Sequence, residues 1–144
     1  MPIDGEYEPA TWKVAADHVE RYEASGGTEG TSMGGGPCVV LWTRGRRSGK
    51  VRKSPVMRVT DGERYAAIAS MGGQSQHPSW YGNLLADPHV TLHDGPVVQD
   101  YTARVAEGEE KAEWWARAIE VWPAYDGYQA KTDRVIPLVI LDPR

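Results

Sequence analysis

The sequence predicts an α+β chain, built on one mainly antiparallel sheet of about six strands that curls into a small barrel flanked by helices. Three observations carry this reading. From residue 38 to 106, short apolar or alternating segments of strand length follow one another, and Asp-Gly pairs at 61–62 and 94–95 join neighbours as tight hairpins. Two longer segments, 9–25 and 107–122, read as helices before and after that array. A last apolar run, VIPLVILD at 135–142, supplies a closing strand.

In chain order, residues 9–25 bring Trp12, Ala15, Ala16, Val19 and Tyr22 to one face of a helix that Gly26 and Gly27 end. GGTEGTSMGGGP at 26–37 is a glycine-rich connector, so the helix is expected to be loosely attached. Residues 1–36 are set apart in this way from a main body at 37–144. CVVLWT at 38–43 is the first strand, and the basic turn GRRSGK follows. VRKSPVMRVT at 51–60 is extended, with Pro55 predicting an interruption or a sheet edge. RYAAIAS is the third strand and MGGQSQH a loop. Pro78 starts a short helix, PSWYGNLLAD, and HVTLH is the fourth strand. VVQDYTARVA alternates and is the fifth. EGEEKAEWWARAIEVW carries acids in its first turn, as the helix dipole prefers, and Pro123 ends it. PAYDGYQAKTD is a short irregular or helical piece before the last strand.

The 144 residues suit one domain, 40% hydrophobic and 25% charged. No apolar run reaches the roughly 18 residues of a membrane helix. The N-terminus lacks the pattern of a signal peptide, so a cytoplasmic protein is expected. The single cysteine excludes an internal disulfide. Charge is distributed unevenly. Arg44, Arg46, Arg47, Lys50, Arg52, Lys53 and Arg58 place seven of the sixteen cationic side chains in fifteen residues with no acid among them, on a chain of net charge −4. One basic loop on an acidic body suits a compact anion better than a nucleic acid, which needs a basic face or stripe. A solvated hairpin is the bland alternative.

In GRRSGKVR two arginine forks, a serine hydroxyl and glycine-freed amides share one turn, the chemistry of a phosphate or carboxylate site. The nucleotide-hydrolase pattern GxxxxGK[ST] is absent. SMGGQ at 70–74 ends a strand in two glycines, which taken alone reads as an ordinary turn and alternatively as a place where a flat ligand approaches backbone. His89 and His93 fall on a strand, about 13 Å apart and too far for one ion, so no metal site is expected. Cys38 opens an apolar strand and reads as core, not nucleophile. Trp122, Tyr125 and Tyr128 recur every three residues in VWPAYDGYQAKTDR. They are either helix-packing aromatics or a pocket wall.

Taken in order, GRRSGKVR, SPVM, ASMGG, HPSWYGNL, ADPHV, TAR and YDGYQAKTDRVIPLVIL resemble the deazaflavin-dependent nitroreductase family of actinobacteria, over roughly residues 37–143. The resemblance implies a split β-barrel, similar to flavin-mononucleotide-binding oxidases, and coenzyme F420, an 8-hydroxy-5-deazaflavin that ends in a phosphate and glutamates. It implies that Arg46, Arg47, Ser48 and Arg52, with Lys53 beside them, hold the phosphate and acidic tail. Ser54, Pro55, Val56 and Met57 would run along the deazaflavin, as would Ile68, Ala69, Ser70 and Met71. Ser79, Trp80, Tyr81, Gly82 and Asn83 would form a second coenzyme-contacting segment. Tyr125 would lie near the reactive ring, and Trp122, Tyr128 and Met57 would line the substrate side. Met71 departs from the lysine of many members, and Met57 from an aromatic found in some.

The expected function is hydride transfer from the reduced deazaflavin to electron-poor acceptors: enones, quinones or nitroaromatics. Ser70, Tyr125 and Tyr128 are the candidate catalytic residues, orienting the acceptor and meeting developing negative charge. The competing readings are an oxidoreductase that binds flavin mononucleotide on the same barrel, and a carrier that holds F420 without turnover. Nucleic-acid binding through the basic loop is a fourth. Whether the chain is a monomer or a homodimer stays open. So does the role of the N-terminal helix: covering the barrel, pairing with another subunit or touching a membrane surface.

Overall fold

The computed structural model describes residues 2–144. Helix α1 spans Lys13–Ala24. Strands β1 (Ser32–Met33), β2 (Gly36–Arg44), β3 (Val51–Met57), β4 (Val59–Thr60) and β5 (Tyr65–Ile68) follow. A 3-10 turn at Met71–Gly73 leads to α2, Ser79–Ala86. Then come β6 (His89–Asp94), β7 (Val97–Val105), α3 (Gly108–Val121), α4 (Ala124–Lys131) and β8 (Leu138–Pro143). The two Asp-Gly hairpins join β4 to β5 and β6 to β7. The ambiguous segment after Pro123 is helical.

The eight strands form one antiparallel sheet, ordered β1-β2-β6-β7-β8-β5-β4, with β3 on β2. Six are long enough to make barrel staves. β1 and β4 are two-residue additions that the sequence pattern did not announce. β3 and β4 are one extended stretch broken at Arg58, whose N–H donates to Pro37 O at 2.8 Å. The part before the break pairs with β2 and the part after it with β5. The sheet thus curls round on itself and leaves one edge of β3 open. Pro55 sits on that edge strand, and the break falls three residues beyond it.

Strand alternation sorts the side chains into two layers. Val39, Leu41, Val56, Ala67, Val90, Leu92, Tyr101, Val139 and Leu141 fill the barrel, and Trp80 and Leu84 of α2 cap it. On the outer face, Ala66, Ile68, Leu138 and Ile140 pack under Trp114 and Ala118 of α3 and Tyr125 of α4. A second outer patch, Val40 with Trp42, receives Val19 and Tyr22 of α1. The helix expected to be loosely attached is therefore seated. Val19 and Tyr22 are each 1% exposed, and Tyr22 Oη accepts the Gly95 N–H at 2.7 Å. Gly27, at φ +81°, lies so close to Gly95 that a Cβ there would stand 2.1 Å from its carbonyl oxygen. The connector is fastened to the β6–β7 hairpin by backbone contact.

Candidate functional site

The basic loop is a compact turn. Gly45 N–H donates to Lys50 O at 2.7 Å, and Gly49 N–H to Gly45 O at 2.9 Å. Ser48 Oγ accepts the Lys50 N–H at 3.1 Å. Arg46 is bound to α2: its backbone N–H and its Nη1 both donate to Asn83 Oδ1, at 3.2 and 2.9 Å, and Nη1 also donates to Ser79 O at 3.1 Å. Asn83, buried, donates in turn to Thr43 Oγ1 on β2 at 3.2 Å. The guanidinium lies flat over Gly82, where a Cβ would stand 2.9 Å from Cζ. Loop and α2, thirty-odd residues apart in sequence, form one surface. Trp80 of the same helix faces the barrel core, and the Tyr81 ring packs at a tilt of 52° against His77, 4.8 Å between centroids.

The other cations divide. Arg44, Lys50, Arg52, Lys53 and Arg58 each have a carboxylate within 4 Å, the tightest being Arg52–Glu8 at 2.6 Å and Lys53–Glu23 at 2.7 Å. Arg46 is held by neutral oxygens only, and Arg47 has no ion pair among the described residues. Lys53 is not brought to the others. Residues of β3 alternate faces, and Lys53 turns with Trp42 toward α1, its ammonium 4.1 Å from the Trp42 ring and 4.7 Å from that of Tyr7. Arg52, Ser54 and Val56 take the opposite face.

β3 leads from this loop to the aromatic cluster, about 20 Å for its seven residues. Its β2 edge is fixed by the Arg58–Pro37 bond, whereas Val51 N–H donates the other way, to Glu6 O. Alternation then turns the N–H groups of Lys53 and Met57 to the open edge, with Pro55, which has none, between them. At the far end Met57, Ile68, Trp122, Tyr125 and Tyr128 pack together. Gly36 permits this, since a Cβ there would stand 3.0 Å from the Trp122 ring and 3.1 Å from Met57 Sδ. Trp122 Nε1–H donates to Tyr128 Oη at 3.3 Å, and the Tyr125 and Tyr128 rings meet edge-on at 6.1 Å. Tyr125 is buried, which pushes its hydroxyl well above the ordinary range near 10, with the neighbouring Tyr128 adding to the effect.

Ser70, also buried, follows Ala69 at the end of β5. Its loop is held by a residue that sequence reasoning passed over. Arg134 donates to Ser70 O at 2.7 Å and Gln74 O at 2.8 Å, and contacts His77 Nδ1 at 2.9 Å. The loop needs holding because Met71 adopts a left-handed φ of +48°, rare for a side chain of its size. Its side chain is exposed. Gly73 presses on α4, where a Cβ would stand 2.8 Å from Tyr128 O. Arg134 was within a quoted motif, but its partners lie about sixty residues upstream, so no local spacing marks it.

The other candidates fall outside this surface. Cys38 is buried beside Gly30 O (3.0 Å) and His18 Nε2 (3.4 Å), and burial pushes its thiol up to about 11, which makes it a core residue. His89 pairs with Asp100, and His93 packs edge-on against Tyr22. Among the described residues no helix is long and apolar enough to cross a membrane.

Residues 14–143 match the family described as F420H(2)-dependent quinone reductase. The chain belongs to that family. This bears out the deazaflavin resemblance and makes the chain an enzyme, an oxidoreductase for which F420H2 is the hydride donor and a quinone the acceptor. An F420H(2)-dependent quinone reductase of Mycobacterium tuberculosis is 32% identical over 131 residues, covering 88% of each chain. A solved F420H2-dependent reductase is 50% identical to this chain, covering 74% of this chain and 94% of its own, with a TM-score of 0.70. A second solved structure, described as a domain-swapped dimer, is 46% identical over 88% and 95%, with a TM-score of 0.73. The split-barrel fold extends further. A Listeria innocua structure described as a pyridoxamine 5′-phosphate oxidase shares it at 14% identity and a TM-score of 0.53, a likeness of fold alone.

Proposed function

We propose that the coenzyme lies along the open edge of β3, with its phosphate and tail at the basic loop and its deazaflavin at the aromatic cluster. The observation that carries this is the strand edge left open from Lys53 to Met57, with the turn of Arg46, Arg47 and Ser48 beyond its N-terminal end. The residues present fit such a group. Arg46 is fixed over Gly82 by bonds to neutral oxygens, so its charge is uncompensated. Arg47 and the Ser48 hydroxyl stand beside it, and Arg52 is next along the strand. Ser54, Pro55, Val56 and Met57 would border the deazaflavin along the strand edge, with Ile68, Ala69 and Ser70 across from them. Ser79, Gly82 and Asn83 support the phosphate end by holding Arg46, on a helix that Trp80 seats in the barrel core and whose Tyr81 packs beside His77. Lys53 is assigned no part.

When bound, reduced F420 supplies the hydride. The protein's own contribution is alignment and proton supply. Met57, Trp122 and Tyr128 wall a place for a flat quinone. Tyr125, whose ordinary pKa near 10 burial only raises, is protonated at neutral pH, so its hydroxyl can donate to the quinone oxygen as that oxygen becomes anionic. Tyr128 Oη accepts from Trp122, which leaves its own proton to donate. Ser70 is a third hydroxyl for this end, on a loop that Arg134 fixes.

Two measurements test this. Fluorescence titration with F420 and with flavin mononucleotide, in parallel, should give tight binding of F420 alone. Preference for flavin mononucleotide would overturn the coenzyme assignment. Tyr125→Phe should then lower quinone turnover about a hundredfold, the lower end of the usual range for a general acid, with F420 affinity unchanged. Unaltered turnover would remove Tyr125 from the chemistry.

A further inference from the structure

The cations next to the proposed phosphate site already have company. Residues 4–8 lie along the start of the open edge of β3. Val51 N–H donates to Glu6 O at 2.8 Å and Glu8 N–H to Val51 O at 2.9 Å, with Tyr7 and Val51 paired in parallel. Ile3 anchors the segment: it is buried, and its N–H donates to Thr91 Oγ1 at 2.9 Å. Acids at every second position then meet the basic strand and loop. Glu8 reaches Arg52 at 2.6 Å, Glu6 reaches Lys50 at 3.6 Å, and Asp4 reaches Arg44 at 3.9 Å. Carboxylates spaced along an extended chain are also what a glutamate tail presents.

We propose that Asp4, Glu6 and Glu8 are a built-in rival for the glutamate tail of the coenzyme, and that this segment sets how strongly the reductase distinguishes long tails from short ones. The inference rests on the assignment of the basic loop to the coenzyme. A tail carboxylate gains Arg52 or Lys50 only by displacing a carboxylate already there, so the exchange is near neutral and added glutamates bring little affinity. Arg46 and Arg47 have no such occupant, so the phosphate is held whatever the tail.

The test compares F420 carrying several glutamates with the same coenzyme shortened to its phosphate, titrated at low salt into the wild-type protein and E6Q/E8Q. Wild type should bind the two forms about equally. The variant should favour the long-tailed form by about threefold to tenfold, the range of two exposed ion pairs. That preference should vanish near 0.5 M salt, where screening is strong. A variant that still binds both forms equally overturns the inference and leaves the coenzyme assignment standing. Failure of both proteins to bind either form overturns the coenzyme assignment and the inference with it. A second measurement needs no variant. Hydrogen exchange at the Val51 amide should accelerate when wild type binds long-tailed F420, because Glu6 O is displaced. Undiminished protection of Val51 in the complex is the opposing result.

Discussion

A methyl group at residue 82 would stand 2.9 Å from Arg46 Cζ, which makes Gly82→Ala a sharp probe of the phosphate end. Two effects oppose each other. Alanine inside α2 stabilises the helix by up to about 1 kcal/mol relative to glycine. The displaced guanidinium loses charge-assisted bonds to Asn83 and Ser79, worth about 1.5–3 kcal/mol where they are made. Both act on folding, and the second is the larger, because these bonds tie the loop to α2 within the fold. Gly82→Ala should therefore lower the melting temperature by a few degrees while weakening F420 binding about tenfold. Equal affinity would detach Arg46 from the coenzyme. These residues were legible in the sequence because two motifs carry them. Lys53, grouped with them in the sequence, takes the other strand face toward Glu23, because adjacency in a motif says nothing of which face a side chain takes. Glu8 and Arg134 were silent because their partners are remote in sequence.

Between β5 and α2 the loop at 70–77 depends on a single guanidinium, and one of its three contacts is titratable. His77 Nδ1 can accept from Arg134 only while the imidazole is neutral at that nitrogen. Burial, and then the charge of Arg134, hold its pKa below the ordinary value of about 6.5. A base depressed in the fold keeps the contact above that value, and loses it as pH falls through the lower folded pKa. The loop that carries Ser70 should then loosen. Quinone turnover should show an acid limb with a midpoint below about 6.5, and His77→Gln, which keeps an acceptor without a charge, should flatten it. A limb that survives in His77→Gln would assign it to another group. Elements of this kind were only partly legible. Period and turn chemistry revealed the long strands and helices. β1 and the residue 4–8 bridge have too few residues to show a period, and exist through pairing with distant chain. The strand break fell at Arg58, not Pro55, because the proline points its missing N–H at an open edge, where nothing is lost.

For the whole molecule, the question is whether the first 36 residues are an appendage or part of one cooperative unit. A glycine-rich connector argues for an appendage when composition alone is weighed. Packing argues the reverse. Tyr22 is buried against Val40, meets the His93 ring at 5.0 Å and accepts the Gly95 N–H, so one side chain joins α1 to β2 and to the β6–β7 hairpin. Glu23 adds the pair with Lys53, itself packed on Trp42 and Tyr7. Truncating a buried aromatic to alanine costs about 3–5 kcal/mol. For a chain of this size each kcal/mol moves the midpoint about 2–4 °C. If α1 folds with the barrel, Tyr22→Ala should lower the melting temperature of the entire protein by about 6–20 °C, in a single calorimetric transition. An appendage behaves differently: the barrel transition would stay in place, and at most a small early transition would shift. The same experiment bears on the coenzyme site, because α1 packs on one face of β3 and residues 4–8 pair with the start of its edge. A single transition would mean that the strand edge proposed for F420 owes its position to the N-terminal segment as well as to the barrel.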